Sequence, residues 1–286
     1  MRLARPSLIL AAALLSACAA APQKTAAPAP SEIAAHDNLN ATLWMQTAIE
    51  YEAATRSIFG AAKYTLDAAL ADTSWNALPA NESSSGFETK PPAIIVDLDE
   101  TFIDNSPYQA RSIADNAGFT LGRWQQWVNA KKALALPGAL EFAQYAASRG
   151  VTFFYVTNRD APAELAATIE NVKQLGFPVK EDFSNFVLRG DSRAPEREKG
   201  TRRKLIDRDY RVVMLFGDNL GDFLDGINSS IETRKALAAP YAEWWGRRWF
   251  MLPNPSYGSW ENAILRSCAD QTSPAACRRA ALHHDY

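Results

Sequence analysis

Histidine is nearly absent from this chain. There are three in 286 residues, and His283 and His284 lie at the extreme end. That leaves too few imidazoles for a histidine-rich metal site or a histidine-based triad. Cysteine is as sparse, at three, and glycine stands at 14, which excludes disulfide-dense and collagen-like scaffolds. No Gly-x-Ser-x-Gly or Walker A loop occurs. No cysteine is followed six residues later by arginine, and there is no Arg-His-Gly, so neither a cysteine nor a histidine phosphatase motif is present. No apolar run approaches the length of a membrane-spanning helix. Basic excess is missing too: 30 Lys and Arg face 32 acids at a pI near 6.0, so polymeric nucleic acid is not an expected partner. What remains is a chain with 47% hydrophobic and 22% charged residues, enough to fold as one large domain or two small ones.

The first residues read as a targeting segment. Arg2 and Arg5 precede a short apolar run, Leu8 to Leu15, the layout of a secretory signal. Leu15-Ser16-Ala17-Cys18 resembles a bacterial lipobox, with residues 1–17 removed and Cys18 lipidated; an ordinary signal peptide with an incidental cysteine is the alternative. Residues 18–37 are Ala/Pro-rich and read as a flexible tether to a lipid anchor. Export would place Cys268 and Cys277 in an oxidising compartment, as a local disulfide or as two free thiols. Their spacing is too long for a CxxC zinc knuckle.

Residues 38–286 read as the folded domain. Asn38 to Leu70 is helical in period, with Gly60 as the point where it divides. Continuous apolar runs at Ala93–Val96, Val151–Val156, Phe186–Leu188, Val212–Phe216 and Trp249–Leu252 read as strands buried on both faces. Helical stretches at Pro137–Ser148, Ala163–Leu175, Lys199–Asp207 and Leu220–Ala239 lie between them. The alternation predicts an α/β fold: a Rossmann-like parallel sheet flanked by helices, preceded by an N-terminal helical segment. Residues 102–136 exceed a plain crossover and read as a small, mainly helical cap inserted after the first strand. Such an insertion lies over the carboxyl ends of the strands, where ligands bind.

The chemistry concentrates at strand ends. In Ile94-Ile95-Val96-Asp97-Leu98-Asp99, the two aspartates share one face if the strand persists. Paired carboxylates survive together when a cation sits between them or one is protonated, which suits phosphoryl transfer with Mg²⁺. A solvated acidic turn is the plainer reading of Asp-x-Asp alone. Thr157 and Asn158 end the second strand with groups able to donate to a phosphoryl oxygen, or simply to cap a helix. Asp218 and Asp222 follow the fourth strand and offer hard oxygen ligands, or an acidic helix start. Lys199 offers a compact charge for a phosphate, while Arg203 and Lys204 read as a solvated basic face. Four aspartates and a phosphate dianion outnumber the charges of Mg²⁺ and Lys199. The site therefore favours one protonated carboxyl and activity below neutral pH.

These strand-end motifs resemble the haloacid dehalogenase superfamily, and within it the class C, or DDDD-type, bacterial lipoprotein acid phosphatases. Asp97-Leu98-Asp99-Glu100-Thr101 and Gly217-Asp218-Asn219-Leu220-Gly221-Asp222 carry the likeness. Asn38 to Gln46, Asp104 to Tyr108 and Asn254 to Trp260 extend it over about residues 38–262. The third motif departs, with Glu198 before Lys199 where many relatives have Ser-Lys. The C-terminal extension 263–286 falls outside it.

The resemblance implies that Asp97 is the nucleophile and Asp99 the general acid and base. Asp97, Asp99 (through its carbonyl) and Asp218 would hold Mg²⁺, with Asp222 supporting the metal's waters or Lys199. Thr157, Asn158 and Lys199 would bind the phosphoryl group, and Trp124 and Tyr257 are the aromatic candidates for the leaving group. Implied substrates are small phosphomonoesters: nucleoside 5′-monophosphates, nicotinamide mononucleotide and aryl phosphates. The implied location is the bacterial cell envelope, as an outer-membrane lipoprotein. A homodimer, a phosphotransferase and a non-catalytic surface-binding lipoprotein are left open. Asp99 argues against a dehalogenase.

Overall fold

The computed structural model describes residues 37–268 and 273–284. The signal segment, Cys18 and the tether up to residue 36 lie outside the described residues. Among those described, no helix is long and apolar enough to cross a membrane.

Two helices come first, α1 (Leu39–Thr47) and α2 (Ile49–Ala71). They divide at Ala48, whose ψ of 125° is extended, and not at the expected Gly60. Glycine inside a helix costs about 1 kcal/mol against alanine. Burial of Tyr51, Phe59 and Leu66 along α2 outweighs that cost. Strand β1 (Pro92–Val96) follows, buried from Ala93 onward.

The chain then leaves the sheet as β2 (Ile103–Asp104), α3 (Ser106–Ala114), α4 (Leu121–Ala130) and β3 (Leu134–Ala135). The pair β2–β3 is antiparallel and forms the stem of this mainly helical insertion. Return is through α5 (Ala139–Ser148), β4 (Thr152–Asp160), α6 (Ala161–Gln174), β5 (Phe186–Arg189), α7 (Gly200–Asp207) and β6 (Arg211–Gly217).

The helix expected over residues 220–239 does not form as one piece. A single 3₁₀ turn, Leu220–Asp222, is closed by a capping box: Asn219 accepts from Gly221, and Asp222 accepts from the Asn219 backbone. A loop containing Gly226 at φ +78° precedes α8 (Ile231–Ala238). Strand β7 (Trp249–Met251), α9 (Ser259–Arg266) and α10 (Pro274–Ala280) complete the chain. A disulfide joins Cys268 to Cys277. Arg278 of α10 pairs with Glu261 at 2.7 Å and with Asp37 at 3.2 Å.

The main sheet has the order β5-β4-β1-β6-β7, and all its pairings are parallel. The connections run outward from β1 to β4 and β5, then cross back to β6. The order therefore reverses around β1, and the crevice at its carboxyl end is a topological switch point. One face of the sheet packs on α2 and α5. There Phe59 meets Phe102, Phe142 and Phe216 at centroid distances of 5.4, 5.9 and 5.8 Å. On the other face, Trp249 packs with Phe223, Trp244 and Trp245. Two indoles register the segment before β1 against β6 and β7. Trp75 donates to Val213 O at 2.9 Å, and Trp249 donates to Ala77 O at 2.7 Å.

Because Phe59 is 2% exposed and touches both Phe216 of the sheet and Phe102, just before β2, its truncation leaves a cavity that rigid neighbours cannot fill. Phe59→Ala is expected to destabilise the fold by about 3–5 kcal/mol. Urea denaturation should show a lower midpoint at an unchanged slope. A loss below about 1 kcal/mol would mean that this cluster is not what fastens α2 to the sheet.

Candidate active site

Two neighbouring strands supply the acids. Asp97 follows β1, its backbone N–H donating to Phe216 O at 3.0 Å, and Asp218 follows β6. Gly217 makes the approach close: a Cβ there would overlap the Asp222 side chain. Carboxylate oxygens of Asp97, Asp218 and Asp222 can all lie within 4.8 Å of one another. Lys199, at the start of α7 and 4% exposed, reaches Asp97 Oδ1 at 2.8 Å and Asp222 Oδ1 at 2.7 Å.

Helix α7 is pinned by buried arginines. Arg202 donates to Thr157 O at 2.6 Å and to Asn158 Oδ1 at 2.8 Å. Arg203 is not on a solvated face, as its sequence neighbourhood suggested. It is fully buried and forks onto Glu82 with two contacts of 2.6 Å, and it also donates to Asp222 O at 3.0 Å. A buried charge pair fixed this way resists movement because separating it strands both charges.

Asp99 borders the same group of acids but has its own partners. Its carboxylate accepts from Arg159 Nε at 3.0 Å and Nη2 at 2.7 Å, and from Asn105 Nδ2 at 2.9 Å. Asn105 in turn accepts from the Trp127 indole of α4 at 2.7 Å and takes its backbone hydrogen bond to Glu100. Asp218 accepts from Asn254 Nδ2 at 2.8 Å and Thr101 Oγ1 at 3.2 Å.

A cleft of about 270 Å³ opens over these groups, bordered by Asp97, Asp99, Asn158, Lys199, Asp218 and Tyr257 among others. Thr157 is fully buried, with its hydroxyl accepting from the Arg159 N–H at 3.2 Å. Tyr257 lines the cleft, and its hydroxyl donates to Glu100. Trp124 is not among the lining residues. It stands edge-on to Tyr108, and Arg159 lies over its ring at 5.6 Å. Arg159, Asn105, Glu100, Asn254 and Arg202 were not singled out from sequence. Arg159 directly follows Thr157 and Asn158, and Asn105 lies in the segment Asp104 to Tyr108, but their partners are distant in sequence.

Electrostatics mark the acid cluster. Burial, then the charges of Asp222 and Asp99, push Asp97 up to about 7 against the pull of Lys199. Burial and the Asp222 and Asp97 charges raise Asp218 well above the usual carboxylate range. Burial, followed by the charge of Asp99, lifts Glu100 to about 8. For Lys199 burial disfavours the charge, but Asp222 and Asp97 together outweigh it and the net shift is upward. The donors are all oxygen, and two of them resist ionising together. Such a set fits a hard divalent cation.

Fold and site together define a member of the haloacid dehalogenase superfamily. Its branch is narrower. Residues 15–260 match the family described as HAD superfamily, subfamily IIIB (acid phosphatase), and the chain belongs to that family. The class C acid phosphatase from Bacillus anthracis with tungstate bound is similar, with a TM-score of 0.74 and 32% identity over 87% of this chain and 98% of that one. A second structure of that enzyme gives 0.73 at the same identity and coverage. Among curated proteins, acid phosphatase 1 of Solanum lycopersicum is 28% identical over 167 residues, and the stem 28 kDa glycoprotein of Glycine max is 26% identical over 168. The aligned region spans only 57% and 58% of those two relatives.

The raised acids give a signed pH dependence. Between about pH 4, where ordinary carboxylates titrate, and the values of about 7 and 8 for Asp97 and Glu100, the folded chain binds protons that the unfolded chain has lost. Stability therefore falls as pH rises through this window. In chelator, the melting temperature should be higher at about pH 5.5 than at about pH 8. Glu100→Gln should flatten the upper part of that slope. A melting temperature that climbs with pH across the window would contradict the assignment.

Proposed function

We propose that this chain is an acid phosphatase that hydrolyses small phosphomonoesters, with Asp97 as the nucleophile and a divalent cation, Mg²⁺, as cofactor. The observation that carries this reading is the position of Asp97. It ends the central strand, sits 2.8 Å from a buried ammonium, and faces Asp218 across the switch point. Asp97, the Asp99 carbonyl and Asp218 would hold the cation, and Asp222 would steady Lys199 beside it. When bound, the cation would screen the negative charge of phosphate and carboxylates.

The chain's own residues do the rest. An Asp97 oxygen bonds to phosphorus as the ester P–O bond breaks, and Asp99 gives its proton to the departing oxygen, releasing the alcohol. Asp99 then takes a proton from water. The hydroxide attacks phosphorus, the P–O bond to Asp97 breaks, and inorganic phosphate leaves. Lys199, with Asn158 and Thr157, would orient the phosphoryl oxygens, and tungstate in the Bacillus anthracis relative is an oxyanion of the same shape. Tyr257 lines the cleft and would contact the leaving group. Trp124 would act from behind Arg159. Nucleoside 5′-monophosphates, nicotinamide mononucleotide and aryl phosphates are the substrate classes we infer. Lipidation at Cys18 and residence at the outer membrane remain part of this reading.

With Mg²⁺ and 4-nitrophenyl phosphate, Asp97→Asn is expected to lose activity by about a thousandfold or more, and chelation should abolish wild-type turnover. Retention of most activity by Asp97→Asn would refute the covalent route. Arg159 adds a cation that the sequence-level charge count lacked, yet negative charge still dominates once phosphate enters. We therefore expect kcat/KM to be higher at about pH 5.5 than at about pH 8 with the cation present, and an alkaline optimum would count against a proton-donating carboxyl.

A further inference from the structure

Arg159 ends β4 and is 2% exposed. Both of its carboxylate-facing nitrogens are spent on Asp99: Nε at 3.0 Å from Oδ1 and 3.2 Å from Oδ2, Nη2 at 2.7 Å from Oδ1. The remaining nitrogen, Nη1, donates to Thr168 on α6 at 3.2 Å. The Trp124 ring lies against the guanidinium at 5.6 Å. The fork is therefore held from three directions, by α6, by α4 and by its own strand.

The contacts on Asp99 are unequal. Oδ1 accepts from Arg159 Nε, Arg159 Nη2 and Asn105 Nδ2, all at 3.0 Å or less. Oδ2 has one long contact, at 3.2 Å. A carboxylate oxygen with three close donors has no room for a proton, whereas the other oxygen keeps its lone pairs. We propose that Arg159 is the positioning residue for proton delivery: it fixes Asp99 by Oδ1 so that Oδ2 is the atom presented to the leaving group. Repulsion from Asp97 would otherwise turn a free Asp99 side chain away from the ester. A lysine could supply the charge but not the two-pronged geometry. The inference rests on the reading of Asp99 as general acid and base.

The alternative is that Arg159 only neutralises a buried charge. Leaving-group dependence separates the two. An ester that departs as a weak base, such as 2,4-dinitrophenyl phosphate, needs little protonation, whereas an alkyl monophosphate needs it fully. The measurement is kcat/KM for Arg159→Lys and Arg159→Ala on both esters, with Mg²⁺, alongside Asp99→Asn and Asp97→Asn. For Arg159→Lys we expect about a hundredfold loss on the alkyl ester and a few-fold loss on the dinitrophenyl ester. Asp99→Asn should show the same selectivity, and Arg159→Lys added to it should add none.

Equal losses on both esters in a folded Arg159→Lys protein overturn the inference while leaving the phosphatase reading intact. Absence of selectivity in Asp99→Asn overturns the acid–base reading itself, and survival of Asp97→Asn overturns the nucleophile. If Arg159→Ala does not fold, the lysine variant and its cycle with Asp99→Asn decide alone.

Discussion

A buried ammonium holds together carboxylates that would otherwise repel one another. Lys199 lies between Asp97 and Asp222, each within 2.8 Å, and these groups belong to different segments of the chain. Electrostatic energy in such a place is large because little water screens it, so the position of Lys199 must be rigid. Helix α7 supplies that rigidity through Arg202, which is tied to the end of β4, and Arg203, which is tied to Glu82 and to the turn carrying Asp222. The row Lys199, Arg202 and Arg203 is thus a single device. One cation faces the site, and two anchor it to the strands that bear the site.

The same logic reaches the cap. Asn105, at the start of α3, joins Asp99, Glu100 and the Trp127 indole. Glu100 has φ +54°, a left-handed backbone uncommon for such a residue. Tyr257 donates to its carboxylate, and the Asn105 backbone does so from the other side. A segment near the end of the chain thereby braces the turn that leads from the first strand into the insertion.

Much of this was legible in sequence because the signals were local. The strand cores emerged from continuous apolar runs, which only burial on both faces explains. Asp97, Asp99, Asp218 and Asp222 stood out because they follow such runs. Other features were hidden because their cause is distant. Arg203 looked solvated because its partner Glu82 is 121 positions away, and the value of Arg159 depends on a carboxylate 60 positions earlier. No periodicity reports such pairings. Gly60 misled for the opposite reason: its local cost is real, but packing along α2 exceeds it. The helix expected after Asp222 failed because hydrogen bonds around Asn219 offered the backbone a competing closure.

The ends of the described chain meet. Asp37, just before α1, pairs with Arg278 of α10, which the disulfide binds back to α9. The fold is topologically near to a ring with one small gap. Joining that gap and opening an exposed loop elsewhere would leave every strand beside its present neighbours, the condition under which circular permutation is tolerated. Asp37 and the helix α10 are thus held at the same edge of the molecule.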